Sequence, residues 1–84
     1  MSRNSMTPLR KKIMEKWIVE ALNQLSGQAH HLQVAEFIWN NYEDELRRWD
    51  DDFYQWQYIL RWAKQNLSNS GKVITPKQGF WELS

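Results

Sequence analysis

Cysteine is absent from the chain, which excludes a disulfide framework and every thiolate zinc site and makes the cytoplasm the expected location. Glycine and proline are scarce, three and two among 84 residues, so each marks a turn worth locating. No apolar run approaches the roughly 20 residues that a membrane span requires, so no membrane partner is expected. The N-terminal MSRNSMTPLRKK is basic but leads into an amphipathic stretch rather than an apolar one, and nothing marks the chain for export. A Gly-rich phosphate loop is missing, as is any serine with a recognisable base partner. His30 and His31 have no Cys or third nearby His to complete a metal site, and a polar helix start is the better reading of them. Glu43, Asp44 and Glu45 read as a charged helix end. The expectation is a protein that is not an enzyme and uses neither cofactor nor metal.

Aromatic residues are plentiful. Six Trp, three Tyr and three Phe offset the poor surface-to-volume ratio of a short chain, each able to bury on the order of 150 to 250 Å². At 84 residues the chain has room for one domain and one small core, without a separate catalytic cleft of ordinary size. Net charge is only +1, so the distribution of charge says more than its sum. Arg3, Arg10, Lys11, Lys12 and Lys16 stand against Glu15 alone near the N-terminus. Residues 43–52 carry Glu43, Asp44, Glu45, Asp50, Asp51 and Asp52 against Arg47 and Arg48. One pole is cationic and the middle is anionic.

Residues 1–6 show no apolar pattern and are expected to form a disordered arm, with the domain spanning residues 7–84. Thr7 followed by Pro8 predicts an N-cap and a first helical residue. Met14, Trp17, Ile18, Ala21, Leu22 and Leu25 then recur on one helical face, ending at Ser26 and Gly27. Residues 28–31 allow a turn or a very short strand able to pair with the C-terminal hairpin. A second helix follows, with Ala35, Ile38, Trp39, Tyr42 and Leu46 on its inner face. Asp50, Asp51 and Asp52 predict the N-terminus of a third, over residues 53–70, with Asp52 and Gln55 at capping-box spacing. Trp56, Ile59, Leu60, Ala63 and Leu67 face inward there; Tyr54, Tyr58, Arg61, Gln65 and Ser68 face outward. Beyond Gly71, the β-rich runs 72–75 and 80–83 join through Pro76, Lys77, Gln78 and Gly79. Fold class is therefore α+β, mainly α: a winged helix-turn-helix, three helices followed by a two-stranded wing hairpin. Trp17, Trp39 and Trp56 are expected in the core, with Trp49 as its plug rather than a binding anchor.

The segment LRWAKQNLSNSGKVITPKQGFWELS resembles the N-terminal winged-helix domain of Mrr-type restriction proteins. That family carries a Trp-Ala pair on its third helix, a Leu and a Gly at the helix end, and a Gly-aromatic pair opening the last strand. Trp62, Ala63, Leu67, Gly71, Gly79, Phe80 and Trp81 stand at these positions. The resemblance covers residues 53–84 and is generic over 8–50. It implies that Trp62 and Trp81 pack the third helix against the wing. It also implies a cytoplasmic DNA-binding domain serving restriction or transcription regulation. A separate, later domain cuts DNA in those proteins, and the present chain is expected to be the reader alone. Polar or basic residues often precede the Trp-Ala pair in the family, where Tyr58 and Ile59 stand here.

The expected partner is double-stranded DNA, with the third helix in the major groove and the wing on the phosphate backbone. Tyr54, Gln57, Tyr58, Arg61 and Gln65 have the length and hydrogen-bonding capacity to reach base edges, Arg61 foremost because an Arg binds guanine in two places. Lys72, Lys77 and Gln78, in or beside the wing, suit phosphate, as do Arg10, Lys11 and Lys12 from the first helix. The acidic stretch 43–52 speaks against DNA, since carboxylates repel phosphate. The alternative is a protein–protein interaction module that has kept the winged-helix fold without DNA, and a homodimer or other protein partner stays open.

Overall fold

A computed structural model describes residues 6–84, with side chains from residue 8 onward. Three helices and a three-stranded antiparallel sheet make an α+β, mainly helical fold. Helix α1 spans Met6–Gln24 and is followed by strand β1, Gln28–His30. Helix α2 runs over His31–Arg47 and α3 over Trp56–Asn69, with strands β2, Val73–Ile74, and β3, Phe80–Leu83, at the end. No helix among the described residues is long and apolar enough to cross a membrane.

Helix α1 begins ahead of Thr7, so that residue is not its N-cap; of the expected arm, residues 1–5 lie outside the described residues. The helix can start upstream of Pro8 because the first N–H groups of a helix have no intrahelical partner, so a proline in the first turn forfeits little. Met14, Ile18, Ala21 and Leu22 are fully buried along its inner face. Ser26 (φ 70) and Gly27 (φ 92) end it in left-handed conformations, with the Gly27 N–H donating to the Leu22 carbonyl at 2.7 Å.

The sheet has the order β1-β3-β2, so β3 is paired on both sides and the C-terminal hairpin is not an isolated two-stranded wing. Ala29 of β1 sits opposite Trp81, and both are buried. Strand β2 is reduced to Val73 and Ile74, which pair with Leu83 and Glu82. The connecting turn closes with the Phe80 N–H on the Lys77 carbonyl at 3.0 Å. Gly79 occupies its third position with φ 86, which a β-turn of this kind requires and glycine supplies without strain.

Helix α2 starts earlier than its apolar pattern, because His30 caps it. The His30 Nδ1 accepts the Leu32 N–H at 3.2 Å, and the Gln33 Oε1 accepts the His30 N–H at 3.0 Å. Near its far end the backbone leaves helical geometry at Tyr42 (φ −132, ψ 22). The Tyr42 ring lies flat on Trp17, centroids 4.2 Å apart, and its hydroxyl donates to Glu20.

The acidic run does not cap α3 as expected. Asp50–Gln55 forms a 3-10 helix, and α3 begins only at Trp56, with no side-chain cap. A 3-10 helix places residues three apart on one side, which is what this segment needs: the Asp52 N–H donates to the Trp49 carbonyl at 2.9 Å, and both residues point into the protein. Trp49 is 4% exposed and stacks on Trp17 at 5.4 Å, so it does plug the core. Asp52 faces Arg10, with the Nη1 3.1 Å from Oδ2 and 2.7 Å from the Trp49 carbonyl. Gln55 does not complete a capping box; its amide donates to the Asp52 Oδ1 at 2.8 Å.

Asp52→Asn leaves the Arg10 guanidinium without its counter-charge, and chemical denaturation at neutral pH should show a loss of about 3 kcal/mol, the lower end for breaking a buried pair. The Tyr42 phenol is pushed up to about 12 from 10.0 by its hydrogen bond to Glu20, by burial, and by the charges of Glu20 and Glu45. The fold thus favours the neutral phenol. The stability this adds is present in full below pH 10.0 and is lost as pH rises through about 12. Tyr42→Phe should remove that component, so denaturation of the two proteins across this range should show their difference shrinking as the phenol ionises.

Candidate nucleic-acid interface

Helix α3 buries Trp56, Ile59, Leu60, Ala63 and Leu67 against the rest of the protein. Its inward stripe follows the helical period, so the residues between are presented outward. Tyr58 and Gln65 lie at the crest of the outer face, with Arg61 toward the sheet and Trp62 toward α1. Gln57, Arg61, Lys64 and Gln65 form one wall of a cleft of about 480 Å³. The start of α2, with His31 and Leu32, forms the second wall, and Thr75, Gln78 and Gly79 of the hairpin form the third.

Of the residues expected to contact DNA, the structure therefore gathers Gln57, Arg61, Gln65 and Gln78 in one place. Arg61 and Gln65 also line a shallow notch on the outer crest together with Tyr58 and Trp62. Tyr54 does not join them. It is 86% exposed in the 3-10 helix, edge-on to Phe53, because α3 starts after it. Lys72 is exposed beyond the cleft, in the connection to β2, with its backbone fastened to Leu67 and Ser84. Lys77 is exposed in the hairpin turn, its ammonium 4.4 Å from the Phe80 ring centroid.

Two placements differ from expectation. Trp62 does not pack α3 on the sheet; it stands on the α1 flank, 44% exposed, with the Lys11 ammonium 4.5 Å over its ring. Trp81 alone faces α3, buried at 7%, with Lys64 reaching over its ring. Arg10, expected to meet phosphate, is turned inward and held by Asp52 and Trp49.

Sequence reasoning left His31, Thr75 and Lys64 out of the site. Lys64 sits at the edge of the buried stripe, where a long side chain can either lie flat or reach out. Here its ammonium is 3.0 Å from the Thr75 hydroxyl, tying α3 to the residue that follows β2. His31 had only its place beside a capping residue to signal it. Its ring stacks on His30 at 4.4 Å and lies 6.1 Å from that of Trp81. Burial, then the neighbouring His30, then Arg61 lower its pKa below the ordinary 6.5.

The cleft carries Arg61 and Lys64, and among the described residues no carboxylate lines it. Several acids are engaged elsewhere: Asp52 with Arg10, Glu43 with Arg47 at 2.8 Å, Glu20 with Tyr42, and Glu15 with Asn66 at 3.2 Å. An anion entering the cleft would meet fixed positive charge and amide donors in a partly desolvated wall. No family model, curated protein or solved structure matches the chain.

An NMR titration should find His31 half-protonated below pH 6.5. Arg61→Ala removes one of the three causes of that depression, so the His31 midpoint should move upward. An unmoved midpoint would place the guanidinium away from His31.

Proposed function

We propose that the chain is a winged helix-turn-helix reader of double-stranded DNA. Helix α3 is its recognition helix, and the β2–β3 hairpin is a wing that rests on the backbone. The observation that carries this reading is the cleft: its two cations and its glutamines converge from α3 and the hairpin in a setting lined by no described carboxylate. Helix α3 has 14 residues and a buried inner stripe, so its outer face is free to enter a major groove. Arg61 takes guanine, Gln57 and Gln65 suit adenine, and Lys77, Lys72 and Gln78 approach phosphate. The resemblance to the N-terminal domain of Mrr-type restriction proteins supports the same assignment, with a cytoplasmic role in regulation or in guiding a partner that cuts. No catalytic or cofactor role is assigned.

The acidic middle is compatible with this role. Asp50–Gln55 lies before α3 and away from the cleft lining, and Asp52 is turned into the protein. Exposed Trp62 and Leu32 are the features that suit the competing role, a protein-interaction module.

The test is binding of a random-sequence duplex pool across a salt series. Affinity should fall steeply, with a log–log slope near 0.9 per phosphate contact. Arg61→Ala should flatten sequence preference, losing about 1 to 3 kcal/mol of discrimination. Lys77→Ala should weaken all sequences alike and reduce the slope by about one contact. Absence of duplex binding at low salt would remove the DNA reading and leave the interaction module.

A further inference from the structure

The notch on the outer crest of α3 has a composition that hydrogen bonding alone does not explain. It is lined by Tyr58, Arg61, Trp62 and Gln65, so half its lining is aromatic. Trp62 is the most exposed of the six tryptophans and Tyr58 is 57% exposed, although large aromatic surface is ordinarily buried. Their rings stand nearly perpendicular, 73° apart, with centroids at 6.0 Å. Perpendicular rings form an apolar corner and cannot both stack on one base. The Lys11 ammonium, 4.5 Å over the Trp62 ring, also occupies that ring from the α1 side. The corner suits a compact apolar group rather than a flat ring.

On the floor of the major groove one base presents such a group, thymine through its C5-methyl. Cytosine presents only a C5–H at that place, and its N4 amino group, standing where thymine has O4, would lose water against the aromatic corner without gaining a partner. Gln65 and Arg61 stand beside the corner in the same notch. A Gln amide matches the N6 and N7 of the adenine paired with that thymine, and Arg61 matches the guanine of a neighbouring pair. Building on the DNA reading above, we infer that Tyr58 and Trp62 are specificity-determining residues that read a thymine methyl, next to a guanine read by Arg61. Trp62 thus acts as an apolar base reader and not as a link between α3 and the sheet.

The experiment replaces thymine by deoxyuridine, which deletes only the methyl. Duplexes selected by the wild-type protein from a random pool should carry a thymine adjacent to the guanine whose preference Arg61→Ala abolishes. Deoxyuridine at that thymine should weaken wild-type binding about fourfold, the worth of one buried methyl group. With Trp62→Ala the two duplexes should bind alike. Equal wild-type binding of the thymine and deoxyuridine duplexes, in a protein that binds duplex with a steep salt dependence, would overturn this assignment while leaving the DNA reading intact. Preference for single-stranded over duplex pools would overturn it in favour of base stacking. Failure to bind any duplex would remove both. The wild-type comparison needs no variant, so it decides the question even if Trp62→Ala folds poorly.

Discussion

The hydrogen bond from the His31 N–H to the Gly79 carbonyl, 2.9 Å long, fastens the first residue of α2 to the last residue before β3. The walls of the cleft depend on it. Strand β1 pairs with β3 up to His30 opposite Phe80, and the very next residue opens α2, so the sheet and the helix share a hinge with no slack. Gly79 is fitted to that hinge twice over. Its φ of 86 suits glycine, and a side chain there would place its Cβ 3.0 Å from the His30 Nε2. The ring that caps α2 thus also fills the space a larger residue would need, and capping, strand pairing and turn geometry all converge on the approach of His31 to the hairpin. Lys64, bonded to Thr75, closes the third side by tying α3 to the start of the hairpin turn just after β2.

A second constraint decides which of the chain's cations lie near the outer face of α3. Arg10 and Asp52 lie 42 residues apart in sequence, and their pairing draws one charge of each sign out of solvent. The gain is geometric more than energetic, since a buried pair recovers little beyond its own desolvation. Asp52 in this position commits the segment to 3-10 winding, which in turn delays the start of α3 until Trp56. Arg10 is spent in the process. Positive charge near the outer face of α3 comes instead from Arg61, Lys64 and the Lys11 ammonium over Trp62.

What the sequence made legible was whatever depends on local period. The inner faces of α1 and α3 could be written down residue by residue because apolar side chains recur at helical spacing, and Gly27 and Gly79 could be placed because each ends an element. The start of α3 was not legible. Three aspartates with a glutamine at capping distance mimic a helix N-terminus, and the competing attraction, Arg10, acts from far along the chain. The flank taken by Trp62 was also hidden, since the resemblance specifies a residue type at a position and leaves the direction of its ring to tertiary packing. Within the candidate site, Gln57, Arg61 and Gln65 followed from the helical face, whereas His31 and Thr75 join it only through the fold of the sheet.

Those two residues bear on how the face could engage a nucleic acid. A helix alone offers a convex surface, which can touch base edges but has no means of fixing its own depth or tilt in a groove. Here the start of α2 and the hairpin turn, joined through the His31–Gly79 bond, stand together along one flank of α3, with His31 and Gln78 in the same cleft as Arg61 and Gln65. A backbone phosphate at that margin of a groove would meet His31 and Gln78 while the crest of α3 reaches toward the floor. On the proposed DNA reading, the depth of insertion would follow from how far the crest stands beyond that flank, whose own geometry the His31–Gly79 bond helps to fix. On that reading base contacts would come from α3 and register from the junction of α2 with the sheet, so the residues that position the domain need not be those that choose the sequence.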